Sequence, residues 1–274
     1  MRVADDRAHP RAGPSSGGHD MLNENDKEIS LTFAKGLSVI RAFEGKNRAL
    51  SIPEISAKVQ LNRAVTRRLI RTLERLGYVS FDRGRYELTP RILRLTQGFI
   101  EGRNISQIIQ PILRQTSHEI GESVSFAMLD EHDAVYVAHS FVPSKFTLNM
   151  VTVGSRAPLA PTAVGRAILA FLGDEQKAEI MAGEEFRLYT DKTEINRDRF
   201  LEVLKTIRVR GYAFAESEYV EGVSSLALPV HGQSYEIVGA ISIIFPTGQY
   251  VEADLPPDLL PRLKRCAADI GATF

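Results

Sequence analysis

This sequence of 274 residues has one cysteine, no net charge and no apolar run longer than a strand. The single thiol, Cys266, excludes an internal disulfide and any zinc site built on two thiolates, and it fits a reducing compartment. The longest apolar stretches, such as Val238 to Phe245, fall far short of the roughly 20 residues that span a bilayer. No N-terminal segment has the apolar core of a signal peptide. A cytoplasmic chain with no membrane partner is expected.

Catalytic patterns are scarce as well. His9 and His19 lie near the N-terminus, and His118, His132, His139 and His231 are scattered, none at the helical spacing of a metal site. The stretch His118-Glu119-Ile120-Gly121-Glu122 opens like the zinc-protease helix motif but has Glu where the second His must stand. Gly154-Ser155-Arg156 and the stretch from Thr162 to Arg166 lack the Lys-Ser/Thr that follows a phosphate-cradling loop, and no Gly-x-Ser-x-Gly elbow is present. Cys266 reads as a packed residue on an amphipathic helix. No catalytic residue, metal or cofactor is expected.

What is present is a charge asymmetry hidden by the zero sum. Residues 29–100 carry 14 Lys and Arg against 5 Asp and Glu, a balance of +9, whereas residues 101–274 carry 16 against 23, a balance of −7. A basic segment in an otherwise acidic chain is the footprint of nucleic-acid binding confined to one domain, because phosphates respond to local potential.

Residues 1–28, rich in Gly, Ser, Pro, Asp and His, read as a disordered tail. Phe33, Leu37, Ile40 and Phe43 recur at helical spacing, and the pattern stops at Glu44-Gly45-Lys46-Asn47. Ser51-Ile52-Pro53-Glu54 is a capping box for a second helix ending near Lys58, and Asn62 can cap a third that runs to Leu76 and closes at Gly77. Tyr78 to Phe81 and Arg85 to Leu88 flank Asp82-Arg83-Gly84 as a β-hairpin. Three short helices and a hairpin predict a winged helix-turn-helix over 29–89. Ile92, Leu93, Leu95 and Phe99 then make 90–103 a linker helix.

Residues 104–274 alternate between periods. Helices are expected near 105–119, 162–172, 174–182, 197–210 and 256–270, and strands near 123–129, 134–141, 212–216, 223–230 and 236–245. Strand pairs of hairpin type mixed with helices predict an α+β sensor-like domain with a largely antiparallel sheet.

The third helix carries the strongest signal. At about 100° per residue with Val65 at zero, Leu69, Leu73 and Leu76 fall within roughly 20–80°, while Arg63, Arg67 and Arg71 fall within roughly 160–240°. Like charges four residues apart repel, and no acid on that stripe relieves them. A polyanionic partner does. Asn62, Arg63, Thr66 and Arg67 occupy the first turns, where a recognition helix of double-stranded DNA meets base edges, and Arg71 and Arg75 lie where phosphates are expected. Arg83 and Arg85 flank the hairpin turn, in reach of phosphates or the minor groove, although an ordinary polar turn would look the same.

Two later stretches stay open on their residues alone. From Pro161 to Ala170, Thr162 can cap a helix whose small opening residues leave N–H groups for an anion, or simply allow close packing. Glu216, Glu218 and Glu221, before Gly222-Val223-Ser224-Ser225, read as a loop. An enzyme anchored to DNA by its basic domain would need a catalytic group in the second domain, and none is found. A ligand-independent architectural DNA binder is the other rival.

The chain from about Leu31 to Phe274 resembles the IclR family of bacterial transcriptional regulators. The stretches that carry the resemblance are Leu31 to Ala42, Ser51 to Val79, Leu88 to Leu95, Pro158 to Ala170, and above all Gly211-Tyr212 through Glu218 to Gly222-Val223-Ser224-Ser225-Leu226-Ala227-Leu228-Pro229-Val230. The run from Leu61 to Arg68, together with Ser225, looks most like the branch that controls protocatechuate, hydroxybenzoate and β-ketoadipate pathways. The resemblance implies a winged-helix DNA-binding domain, a linker helix and a GAF-like effector domain for a small organic acid, assembled as a homodimer or dimer of dimers. Carried over by position, the effector site would involve Ala163 and Val164 at a helix start, Val223 and Ser225 on one strand, and Ser242 on the next. Many members have an acid at the position of Ala215 and a second serine at that of Ile244, so a less polar site, open to a larger or aromatic acid, is implied here.

Overall fold

The computed structural model describes residues 28–45, 48–143 and 151–274. Apart from Glu28, the tail expected over 1–28 lies outside them, as do Lys46 and Asn47 of the first helix stop. The chain divides into two compact units, one up to Phe99 and one from Ile100.

In the first unit, α1 (Leu31–Arg41) starts at Ser30, whose hydroxyl accepts the Phe33 N–H. The two-residue strand β1 (Ala49–Leu50) precedes α2 (Ile52–Val59). Glu54 closes the capping box by accepting the Ser51 N–H at 2.7 Å. Then α3 (Arg63–Arg75) opens where Asn62 Oδ1 accepts the Val65 N–H at 2.9 Å, and it ends before Gly77, whose φ of +79° no side chain tolerates well. Strands β2 (Val79–Asp82) and β3 (Arg85–Leu88) join through Arg83 and Gly84, both at positive φ, the backbone of a type I′ turn. The sheet order is β1-β3-β2. β1 is too short to show a period, so only its pairing to β3 reveals it. Val39, Phe43, Leu50, Ile55, Leu69, Ile70, Leu73, Val79 and Tyr86 form the core. The expected linker helix begins as a 3₁₀ turn, Pro90–Leu93, before α4 (Arg94–Gly102).

The second unit enters through a π-helical turn, Ile105–Ile109, into α5 (Gln110–Ile120). Its sheet contains β4 (Val124–Asp130), β5 (Asp133–Ser140), β6 (Arg156–Pro158), β7 (Ala213–Glu216), β8 (Val223–His231) and β9 (Ile237–Pro246). The strand order is β6-β5-β4-β9-β8-β7, with every neighbouring pair antiparallel. Thus the class is α+β, and β6, three residues at an edge, is the strand the pattern did not announce.

The two faces of this sheet differ in side-chain size. One face carries Phe126, Leu226, Leu228, Ile241, Ile243 and Phe245 against α5 and α9 (Leu259–Gly271). The other carries Ala127, Ala213, Ala215, Ala227 and Ala240 against α6 (Ala163–Phe171). Small residues let α6 lie close to the sheet, and the segment leading into α6 folds against the helix itself: a Cβ at Gly165 would fall 2.3 Å from the Leu159 Cα. The helices α7 (Asp174–Gly183) and α8 (Arg197–Arg210) add Ile180, Met181, Phe200, Leu204 and Ile207 to the same core, with α8 packed on α6. Among the described residues no helix is long and apolar enough to cross a membrane.

Candidate functional site

Within the first unit, α3 buries Thr66, Leu69, Ile70 and Leu73. Ile70 and Thr66 rotate the core face away from the direction set by Val65 and Leu76. Leu76, expected in the core, is 51% exposed at the helix end. Thr66, expected to meet base edges, is fully buried, and its hydroxyl donates to the Asn62 carbonyl at 3.1 Å. Arg63, Arg67, Arg71 and Arg75 stand exposed. Among the described residues none of the four makes an ion pair or a side-chain hydrogen bond, so their charge is uncompensated. Arg67 and Arg71 line a groove of about 330 Å³ together with Ser51, Phe81 and Gly84, which brings α3, the start of α2 and the hairpin turn to one place.

Arg85 corrects another expectation. Its guanidinium donates to both Glu54 oxygens at 2.9 and 3.0 Å and to the Ala49 carbonyl at 3.0 Å. The Ser51 hydroxyl and N–H, with Arg85, hold the Glu54 carboxyl down at about 2. Arg85 therefore ties the hairpin to the start of α2, and a cation committed to a carboxylate is poorly placed for phosphate. Arg83 projects from the turn, 4.0 Å from the equally exposed Asp82 carboxylate. Asn62 spends Oδ1 on the helix cap and keeps its amide N–H groups.

In the second unit the five residues implied for the effector site fall on the α6 face. Ser225 pairs with Ala215 on one side and Ile244 on the other, and Ser242 pairs with Ala227 and Ser125. Val223, at the start of β8, shares their face because alternate residues of a strand do. Ala163 and Val164 are buried where α6 begins, and Thr162 caps that helix by accepting the Gly165 N–H. The Ser242 hydroxyl is 2% exposed and has no hydrogen-bond partner among the described residues.

Four features of this face were not read from the residues. Arg166, 3% exposed, is bidentate to Glu218 at 2.5 Å per bond, donates to the Ala160 carbonyl at 2.7 Å, and lies 5.5 Å from the Phe200 ring centre. Glu218 in turn accepts the Glu194 N–H, while Thr193 donates to the Glu218 carbonyl. The stretch 217–222 is the loop expected between β7 and β8, and Glu218 within it anchors a largely buried ion pair. Tyr136 packs in the same cluster as Ala163 and Val164, its phenol pushed up to about 12 by burial. Ser125 Oγ meets His139 Nδ1 at 2.9 Å. Burial, with Asp133 and Glu185 nearby, raises the Glu184 carboxyl to about 7 despite a backbone hydrogen bond from Ala160.

Comparison with known proteins matches both units. Residues 32–83 match the IclR helix-turn-helix domain, and residues 97–272 match the C-terminal domain described as "Bacterial transcriptional regulator IclR C-terminal". The Pca regulon regulatory protein of Pseudomonas putida is 27% identical over 245 residues, covering 89% of this chain and 84% of that protein. A transcriptional regulator of Rhodococcus sp. RHA1 superposes with a TM-score of 0.76 at 33% identity, covering 89% of this chain and 98% of that one. The inducer-binding domain of a PobR double mutant from Acinetobacter, solved with 3-hydroxybenzoic acid, covers 58% of this chain and 92% of its own at 26% identity, with a TM-score of 0.53.

Proposed function

The chain belongs to the IclR family of DNA-binding bacterial transcriptional regulators, a non-enzymatic family, and we propose that a small organic acid, aromatic or dicarboxylic, sets its grip on a two-part operator. Asn62, Arg63 and Arg67 face base edges in this reading, with Arg71, Arg75 and Arg83 on phosphates. Phosphate contacts supply affinity and register, and base contacts supply sequence.

The observation that carries the effector reading is the buried, unpartnered Ser242 hydroxyl on a face that also holds Ser225 and the start of α6. A helix N-terminus favours an anion. Arg166 is neutralised by Glu218, so among the described residues the α6 N–H groups and the strand hydroxyls are the donors this reading offers a carboxylate. The likeness to a domain solved with 3-hydroxybenzoic acid, and to a Pca regulon regulator, supports an aromatic acid and the control of a catabolic pathway.

Exposed Phe33 and Leu37 on α1, and Leu93 and Leu95 around the start of α4, support pairing with a second copy. An even-numbered homo-oligomer acting in the cytoplasm would present two recognition helices to two half-sites. Effector binding then needs to shift their spacing by a coupling of only about 1–3 kcal/mol.

Melting of the full chain with benzoate, 3- and 4-hydroxybenzoate, protocatechuate, succinate and adipate tests this reading, since a ligand of the native state raises stability by mass action. At least one acid is expected to raise Tm and to change operator affinity. Ser225→Ala should weaken that acid about 10-fold while leaving effector-free DNA affinity unchanged, and Ala163→Leu should abolish the response. No shift with any acid at millimolar concentration overturns the proposal.

A further inference from the structure

Three consecutive carbonyls at the end of α3 are taken by two residues at the start of the linker. Arg91 Nη1 donates to the Leu76 carbonyl at 2.5 Å, the Thr89 hydroxyl donates to the Gly77 carbonyl at 2.5 Å, and the Thr89 N–H donates to the Tyr78 carbonyl at 2.9 Å. The guanidinium lies against the backbone there, since a Cβ at Gly77 would fall 3.0 Å from Arg91 Cζ. The last carbonyls of a helix have no partner inside it, and its C-terminus is the negative end of the dipole, so a cation and a hydroxyl are well held at this point. Thr89 also opens the 3₁₀ turn Pro90–Leu93, its hydroxyl accepting the Arg91 N–H at 3.3 Å.

The end of α3 and this turn are therefore one body, closed by side-chain bonds that span 12 and 15 residues of chain. The turn ends on Leu93, 66% exposed and one of the residues that support pairing with a second copy. A surface that pairs copies thus stands two residues from the guanidinium that holds α3. We infer that Thr89 and Arg91 are positioning residues, which fix the recognition helix to the pairing surface and so set the half-site spacing that two copies accept. The inference rests on the reading of a two-part operator bound by an even-numbered oligomer, and it adds to that reading the residues that enforce the spacing. One added base pair moves a half-site by about 3.4 Å and turns it by about 35° around the duplex axis. A recognition helix held at its C-terminal end cannot follow both movements, and a loosened one can.

The test uses the full chain and a duplex that wild type selects from a randomised pool, remade as a single half-site and with one base pair added or removed between the half-sites. Wild type is expected to lose at least about 10-fold in affinity at either altered spacing. Arg91→Met keeps an apolar stem over Gly77 but cannot donate, and because Arg91 is exposed its loss opens no cavity. That variant should lose no more than about 3-fold at either spacing, with half-site affinity within about 2-fold of wild type. Thr89→Val should act in the same direction, and Arg91→Lys, whose ammonium can still donate to the Leu76 carbonyl, should restore most of the preference. Wild-type spacing preference retained in both Arg91→Met and Thr89→Val would overturn the inference, and so would equal weakening on the half-site and on every two-part duplex, the mark of a plain DNA contact. Wild type that needs both half-sites but tolerates every spacing defeats this inference alone. Wild type that binds the single half-site as tightly as the selected duplex defeats the two-part reading, and this inference with it.

Discussion

Arg166 and Glu218, 52 residues apart in the chain, meet through two parallel hydrogen bonds of 2.5 Å in the interior of the second unit. The side chains are 3% and 12% exposed, so neither charge has water to fall back on. Removing one partner from a buried pair leaves the other uncompensated, which costs about 3–5 kcal/mol. Glu218→Ala is therefore expected to lower the urea midpoint of the full chain by a corresponding amount. Arg166→Met combined with Glu218→Leu should recover most of the loss, since both charges are then gone. A Glu218→Ala variant within about 1 kcal/mol of wild type would contradict this account.

Gly165→Ala should be severe for a different reason. The added methyl would sit 2.3 Å from both the Cα and the carbonyl oxygen of Leu159, and backbone does not move aside as a side chain end does. Overpacking of this kind costs about 1–3 kcal/mol or more. Gly36→Ala in α1, where nothing lies within 4 Å, is expected to stabilise by about 0.4–1 kcal/mol. Thermal melts of the two variants should move in opposite directions.

The DNA face divides its arginines by what holds them. Arg67→Ala should weaken operator binding by about 1–3 kcal/mol more than it weakens binding to random DNA, as loss of a bidentate base contact does. Arg71→Ala should reduce the slope of log Kd against log salt by about 0.9, one phosphate's share. Arg85→Ala should leave that slope unchanged, because its charge belongs to Glu54. Titrations at four salt concentrations on operator and random duplexes separate the three. A full unit lost from the slope in Arg85→Ala would return that residue to the phosphates.

Glu184 predicts a pH dependence whose sign follows from its raised carboxyl. Between the ordinary carboxylate value of 4.5 and about 7 the folded chain holds a proton that the unfolded chain has released, so this group's contribution to stability declines as pH rises through that window and levels off above it. Glu184→Gln, which cannot ionise, should raise Tm relative to wild type at pH 8, and the difference should vanish near pH 4.5. An equal difference at both values would place the effect elsewhere.

Much of the molecule was determined by the sequence alone, and the reason is that its signals are local. The Asn62 cap, the Ser51 and Glu54 box, the Gly77 stop and the Arg83-Gly84 turn act within four residues of themselves. Apolar periods likewise placed the main helices and strands, and the arginine stripe of α3 needed only an angle per residue. Tertiary structure decided what lies across the chain. It turned Thr66 inward, because Ile70 shares its side of α3 and pulls that face to the core. It drew Arg85 to a carboxylate 31 residues away and made Glu218 the counterion of Arg166. It added β1 and β6, two and three residues long, which exist only through their partners.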